Sequence, residues 1–477
     1  MDEAALFRFA PPAAPTPYRT IALVPALDWS AWNVQNDPVT EAITAPGSGG
    51  DSTGGFAKAA EMCNNNGHCR KFDAGTMCPS FRVTRDEQHS TRGRANTLRL
   101  ALSGQLGPDA LTSEALYETL DLCVSCKGCR RECPTGVDMA RMKVEFLAHY
   151  KGRHGYSLKD RLVARLPDYA AGLSRVPWLP NLRDRMPGAA WLGEKLLGLS
   201  ARRSLPTWRS DTFWRARDAS LFADAEATLA AARRGDKAAV LFVDTFNGVF
   251  ETENALAAAR VLHAAGYTLH TLDKGEGHHC CGRTFLASGM VDEARRRVTG
   301  LVDALLPFAS AGIAIVGLEP SCLLTLRDEA LAMNLGEKAG TVALQALLFE
   351  EFIAREAGAG RFALSFTPLA EKILVHGHCH QKAFAAVGPV LEVLRLLPGA
   401  SPELIESSCC GMASSFGYEA RHQEVSMGMA EASLLPAIRR APEAIVVADG
   451  TSCRHQIADG AGREAMHVAR LLERALP

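Results

Sequence analysis

Fourteen cysteines fall into two groups of seven, Cys63 to Cys133 and Cys280 to Cys453, and the 146 residues between the groups contain none. Thiols buried only for packing would be scattered along the hydrophobic pattern. Clustering on this scale predicts two cofactor-bearing regions. Cysteine thiolates hold iron–sulfur clusters and zinc, and in a reducing compartment metal or redox use is the expected role for so many of them.

The first group contains Cys123-x-x-Cys126-x-x-Cys129-x-x-x-Cys133-Pro134, the bacterial ferredoxin spacing. Three thiolates at i, i+3 and i+6 wrap a loop around one face of a four-iron cube. The fourth, set apart and followed by proline, points to a neighbouring cluster. As zinc ligands these residues would leave one cysteine too many and miss the two-pair pattern. Cys63, Cys69 and Cys78-Pro79 read as an altered upstream copy, with Asn66 in the middle ligand position and a lengthened gap before Cys78. If the copies exchange their Cys-Pro ligands, a 4Fe–4S cluster takes Cys78, Cys123, Cys126 and Cys129. Cys63, Cys69 and Cys133 are then left one thiolate short. That second set is compatible with a 3Fe–4S cluster, with a 4Fe–4S cluster completed by Asn66, His68 or water, or with no cluster. The basic stretch Arg82, Arg85, Arg92 and Arg94 beside this group reads as a solvated or internally paired loop rather than a docking surface.

In the second group, adjacent Cys409 and Cys410 precede Gly411, and Cys379 and Cys453 complete a set of four. Neighbouring thiolates suit a further cluster or zinc, and glycine permits close backbone approach. An earlier copy offers Cys280, Cys281 and Cys322, with Asp244, Thr245 and Phe246 where Cys379 would align, and reads as degenerate. His376, His378 and His380 alternate around Cys379. On a strand they would share one face and leave Cys379 on the other, which argues against one metal for all four. A histidine there could carry protons at a quinone or disulfide site.

These residues must be positioned by an internal repeat. AVLFVDTF (239–246) parallels KILVHGHC (372–379), HHCCGRTF (278–285) parallels SSCCGMAS (407–414), and IAIVGLEPSC (313–322) parallels AIVVADGTSC (444–453). Short apolar runs alternating with helical patterns such as ENALAAARVLHAAG (253–266) predict two α/β units with parallel sheets. In such sheets ligands gather at the carboxyl ends of the strands. NTLRLALSG and LTSEALYETLDL predict helices in the first group, the second capped by Thr112 or Ser113. The expected architecture is multidomain: a flexible N-terminal segment (1–60, with a linker at 45–55), an α-helical ferredoxin-type domain (61–150), a helical connector (151–236), and two tandem α/β Cys-Cys-Gly domains (237–345 and 346–477).

With 52 basic and 53 acidic residues, net charge −1, nothing in the overall charge balance points to nucleic acid or to an anionic membrane. No transmembrane segment is apparent, and the N-terminus lacks signal-peptide features. A cytoplasmic location is expected.

EMCNNNGHCRKFDAGTMCPSFRVTRDEQHSTRGRANTLRLALSG (61–104), LDLCVSCKGCRRECPTGVDMARMKVEFLAHY (120–150), CCGRTF, EPSC, HGHCHQK and CCG together resemble the iron–sulfur half of FAD-linked 2-hydroxy-acid dehydrogenases of the D-2-hydroxyglutarate and D-lactate type. The iron–sulfur subunit of glycolate oxidase and the Cys-Cys-Gly subunit of heterodisulfide reductase are more distant kin. The resemblance implies that clusters here carry electrons singly from a flavin to a quinone or soluble acceptor, on a chain that is cytoplasmic or peripheral on the inner face of the membrane. No flavin or nicotinamide fingerprint is apparent, and ALDWSAWN (26–33) looks like the tail of a flavin domain. FAD is therefore expected only in a partner chain, an FAD-binding oxidase subunit. The alternative is a heterodisulfide-reductase-like enzyme acting at Cys379, Cys409, Cys410 and Cys453; a third possibility is a metal-binding scaffold without activity.

Overall fold

A computed structural model describes residues 20–33, 52–72, 75–272 and 279–477. Most of the glycine-rich stretch expected as a linker, 45–51, lies outside the described residues, as do residues 1–19.

Residues 52–150 form a helical domain. Ser90 caps the helix Thr91–Leu102 by accepting from Gly93 N, and Ser113 caps Glu114–Asp121 by accepting from Leu116 N. The long helix Met139–His154 follows. The described parts of the segment expected to be flexible, 20–33 and 52–60, contribute to the core. Leu27, Trp29 and Phe56 are buried, and Trp29 packs on Phe56 with ring centroids 5.0 Å apart. The fully buried Glu145 accepts from Ala26 N (2.7 Å), Leu27 N (2.9 Å) and Trp29 Nε1 (2.9 Å). Leu27 and Trp29 of ALDWSAWN are thereby part of the core, with Ala26 and Trp32 packed against it.

Residues 151–236 contain several short helices, consistent with their broken periodicity. Two of them, Trp178–Arg185 and Ala189–Leu197, bury no residue.

Two parallel sheets follow. The first runs β2-β1-β3-β4, with β1 Ala238–Phe242, β2 Thr268–Thr271, β3 Ala314–Gly317 and β4 Ala346–Leu348. The second runs β6-β5-β7, with β5 Lys372–Val375, β6 Ser401–Leu404 and β7 Ile445–Val447. All four strands anticipated from the repeat are present, and β1, β3, β5 and β7 occupy matching positions: β1 pairs with β3 as β5 pairs with β7. Strand β4 pairs with β3. The first α/β unit therefore extends past 345, the boundary the sequence suggested, through Leu348. Its three residues follow a helical pattern without a break (Glu337–Gln345 leads straight into β4), which hid the strand.

Candidate functional site

In both α/β units the cysteines sit beyond the carboxyl ends of the strands. Cys322 lies in the first turn of the helix Pro320–Leu326 after β3, and Cys453 in the first turn of Thr451–Ala461 after β7. Both Cys-Cys-Gly turns need their glycine. Gly411 has φ +86°, and a Cβ there would lie 2.3 Å from Ser426 O; Gly282 has φ +75°, with Ala294 O at 3.0 Å.

β5 ends at Val375, so the three histidines do not alternate along a strand. His378 caps a short helix that begins at Cys379, its ring accepting from His380 N. This overturns the expectation of one shared face. His376 instead turns toward Cys410 and Cys453: the three ligand atoms lie within 4.8 Å of one another, all buried. Cys379 hydrogen-bonds with Cys409, and Cys410 with Cys409, Cys453 and His376. The four cysteines expected together are thus adjacent. The Cys409 hydrogen bond, against burial and with help from His378 and Lys382, brings the Cys379 thiol down to about 6. Burial drops His376 to about 4, leaving its imidazole neutral at pH 7.

The first unit differs. Thr245 opens the helix after β1, and Asp244 caps it, accepting from Phe246 N at 2.8 Å and Asn247 N at 3.2 Å. Cys280, Cys281 and Cys322 are buried in a hydrogen-bonded chain without a fourth thiol. Although Cys281 hydrogen-bonds to it, burial and the carboxylates of Asp244 and Glu319 push Cys322 up to about 12. At the second site Cys409 and Cys453 are pushed up as well, while Cys379 and Cys410 are brought down, so the sites differ in those two thiols.

All fourteen cysteines are free thiols. In the helical domain one cavity is lined by Cys78, Cys123, Cys126 and Cys129, the set the spacing grouped. Ser125 (φ 50°) and Lys127 (φ 58°) take left-handed backbone between the cysteines, curling the loop. Burial pushes the Cys126 and Cys129 thiols well above their usual range, and neighbouring sulfurs add to it. Four thiols lining one cavity are the donor set that a cubic four-iron cluster takes, and iron would replace their protons. Arg94, 1% exposed, directs Nη1 at Cys78 Sγ (3.6 Å) and Nη2 at Ser80 Oγ (2.9 Å), and Thr91 Oγ1 lies 3.7 Å from the same sulfur. The arginine stretch is internally paired, with Arg92 on Glu87 (2.7 Å), but it forms helices rather than a loop. The role of Arg94 was invisible in sequence: helical spacing with Ser90 as cap was the only signal.

Cys63 and Cys69 are buried, and Cys133 is half-buried. Cys133 adds to the upward shift of Cys63, and Cys78 to that of Cys69; burial is the larger cause in each. Asn66 and His68 are both exposed, and Asn66 Oδ1 accepts from His68 N at 2.8 Å. The neighbouring side chain is thus spent on its own turn.

The two thiol groups meet. Val124 and Cys126 share an apolar core with Cys379, Cys409, Cys410 and Cys453. His380 Nε2 lies 3.1 Å from Ser125 O. The fully buried Lys127 pairs with Asp328 (2.5 Å) and Glu329 (3.0 Å) of the first α/β unit. A larger cavity opens along this junction and reaches Cys123, Arg283, Cys379, Cys409 and Cys410.

This arrangement is that of an iron–sulfur electron-transfer protein, and comparison with known proteins agrees. The 4Fe–4S dicluster domain profile matches residues 59–137, and the cysteine-rich domain profile matches residues 245–327. Similar curated proteins include D-2-hydroxyglutarate dehydrogenase of Escherichia coli (strain K12), 27% identical over 462 residues, covering 87% of this chain and 44% of that protein. A component of the anaerobic glycerol-3-phosphate dehydrogenase of the same organism is 27% identical over 313 residues (64% of this chain, 74% of that one). The glycolate oxidase iron-sulfur subunit of that organism is 23% identical over 432 residues (86% and 93%). The chain spans less than half the length of the D-2-hydroxyglutarate dehydrogenases it matches. Among the described residues no helix is long and apolar enough to cross a membrane.

Proposed function

We propose that this chain is the iron–sulfur electron-transfer subunit of a flavin-linked 2-hydroxy-acid dehydrogenase, acting on D-lactate, glycolate or D-2-hydroxyglutarate with FAD held by a partner chain. The observation that carries the reading is the meeting of two thiol groups, Cys78/Cys123/Cys126/Cys129 and Cys379/Cys409/Cys410/Cys453: Cys126 shares an apolar core with the second group, and Cys123 lines one cavity with Cys379, Cys409 and Cys410. Clusters held there supply one-electron acceptors, whereas oxidation of a hydroxy acid releases two electrons, a mismatch that a flavin resolves. The chain's own residues keep both thiol groups dry and adjacent, and Arg94 sets a positive charge beside Cys78. The 346–477 unit is read as a second Cys-Cys-Gly domain, and Cys63, Cys69 and Cys133 as an incomplete second cluster site. A relative named for glycerol-3-phosphate widens the donor beyond hydroxy acids.

The acceptor is a quinone or a soluble carrier. A peripheral position on the inner face of the membrane is supported by the helices Trp178–Arg185 and Ala189–Leu197, which with the adjoining Met186 expose Trp178, Met186, Trp191, Leu192 and Leu196 beside Arg185 and Lys195.

Anaerobic purification with iron, sulfide and EPR analysis tests the reading. The isolated chain is expected to be brown and inert toward all three hydroxy acids with an artificial acceptor. Adding the flavoprotein should give substrate-dependent cluster reduction. Dehydrogenase activity from the flavin-free chain alone overturns the subunit model.

One observation favours a second reading, disulfide reduction at the second α/β unit: the large cavity reaches Cys379, whose thiol is brought down to about 6. Disulfide reduction by the isolated, reduced chain would select it.

A further inference from the structure

His422 belongs to neither thiol group, yet it lines the large junction cavity together with Asp121 and Glu419. It is 3% exposed, and its ring stacks on Phe416 with centroids 4.2 Å apart. Nε2 lies 2.7 Å from Asp121 Oδ2. Asp121 is a carboxylate paired with Arg421 through Oδ1 (2.9 Å) and has no hydrogen to offer, so Nε2 carries the hydrogen of that contact. Nδ1 makes no hydrogen bond, and Glu419 Oε2 stands 3.5 Å from it. An imidazole oriented by a carboxylate at one nitrogen and left unbonded at the other is the arrangement of a proton carrier. The remaining charges around the pair already have partners. Lys143 Nζ donates to Asp121 O (2.9 Å) and Cys123 O (2.7 Å), Arg421 donates to Tyr117 (3.0 Å), and Lys159 pairs with Glu419 (2.6 Å).

The inner end of the cavity reaches Cys123, Cys379, Cys409 and Cys410, and clusters on the two thiol groups would fill it. His422, Asp121 and Glu419 lie toward solvent from there. At Glu419 two apolar surfaces converge. Lys159 sits on the helix Leu158–Ala164, whose Leu158 and Leu162 are 63% and 39% exposed. Glu419 also bridges Leu199, and Ala420 N donates to Gly198 O (2.9 Å), directly after the helix Ala189–Leu197 with its exposed Leu192 and Leu196. A mouth set among exposed leucines suits an acceptor with an apolar tail.

We infer that the outer end of this cavity receives the ring of an isoprenoid quinone, with His422 as its proton donor and Asp121 as the residue that positions His422. The inference rests on the electron-transfer reading above and selects one acceptor from it. Reduction converts the two C=O groups of the quinone to C–OH, taking up two electrons and two protons. The clusters of this chain deliver the electrons singly. His422 Nδ1–H gives one proton to the nearer oxygen and regains it from water at the mouth, and water supplies the other. The imidazolium present before each transfer lies between the carboxylates of Asp121 and Glu419.

The test is stopped-flow reoxidation of the full-length, cluster-loaded protein, reduced anaerobically and mixed with a short-chain isoprenoid ubiquinone or with ferricyanide, which takes one electron and no proton. Both should oxidise the wild type. His422→Gln, whose amide still donates to Asp121, should slow the quinone reaction about 100-fold and leave the ferricyanide rate and iron content as in wild type. Asp121→Asn should also slow the quinone alone, and it covers the case in which His422→Gln fails to fold. Quinone rates equal to wild type in these variants, or an equal loss with both acceptors, overturn the assignment. So does a wild type that ferricyanide oxidises and the quinone does not. Clusters oxidised by neither acceptor would overturn the electron-transfer reading along with it.

Discussion

Arg94 places a guanidinium 3.6 Å from Cys78 Sγ in a water-free setting. Net charge and hydrogen bonds to sulfur set cluster potentials, and a positive charge favours the electron-rich reduced state. Arg94→Met should therefore make the potential of the Cys78/Cys123/Cys126/Cys129 cluster more negative in an EPR-monitored titration. It should also cost about 1–3 kcal/mol of stability, because Ser80 Oγ and Thr119 O lose their donor. An unchanged potential would remove the arginine from the cluster's surroundings. Cys126→Ser is the sharper change: it should abolish the reduced-state EPR signal of that cluster, and full iron with an unchanged spectrum would refute the ligand set. Cys123, Cys126 and Cys129 are grouped by the spacing of one short run, and Cys78, from a separate upstream segment, lines the same cavity. Arg94 was not legible in the sequence, since its contact joins two helices through the turn at Cys78. His376 was misread for a related reason. Alternation along a strand holds only while the strand lasts, and β5 stops at Val375, one residue before it.

At the scale of elements, the fold was readable wherever apolar runs were continuous. β1, β3, β5 and β7 are buried centre strands or their immediate neighbours. β6, SPEL, is largely exposed and contains proline, and β2 is half-exposed on alternate residues, so neither has the apolar density that marks a strand. The N-terminal segment escaped detection because its anchor is one carboxylate distant in sequence. Joints between elements make testable demands. Glu251, just before the helix Thr252–Ala264, meets Arg454 of Thr451–Ala461 through Nε at 2.9 Å and Nη2 at 2.5 Å, linking the two α/β units. Burial alone would push Glu251 up, yet Arg454 brings it down to about 2. A carboxyl with a depressed folded-state pKa stabilises above its unfolded value of 4.5 and loses that contribution as pH falls toward 2. Glu251→Gln should thus destabilise the protein by about 3–5 kcal/mol at pH 7, leaving Arg454 buried without its counter-charge, and the deficit should shrink in acid denaturation series carried below pH 4.5. A deficit constant with pH would show that the joint is not electrostatic.

For the molecule as a whole, the thiol groups lie inside the junction of the helical domain and both α/β units, while the apolar surface lies elsewhere, on a helical pair that packs little of itself inward. Trp178 and Trp191 are each 59% exposed and Leu196 is 71% exposed. Residues 174–204 carry six basic and two acidic side chains, of which Arg185, Lys195 and Arg202 are exposed or half-buried. Tryptophan and leucine beside accessible basic residues match the chemistry of an anionic bilayer interface, where rings enter the headgroup layer and cations meet lipid phosphate. An acidic protein groove would satisfy the charges but would leave two protruding indoles needing matched pockets. The full-length protein is therefore expected to co-sediment with vesicles of phosphatidylglycerol and phosphatidylethanolamine, less so as salt screens the attraction, and weakly with neutral phosphatidylcholine. Trp191→Ser combined with Leu196→Ser changes only exposed positions, so thermal stability and iron content should hold while vesicle binding falls at least several-fold. Equal sedimentation of wild type and double variant would show that the helical pair faces something other than lipid, and its exposed indoles would then have to be explained by a protein partner.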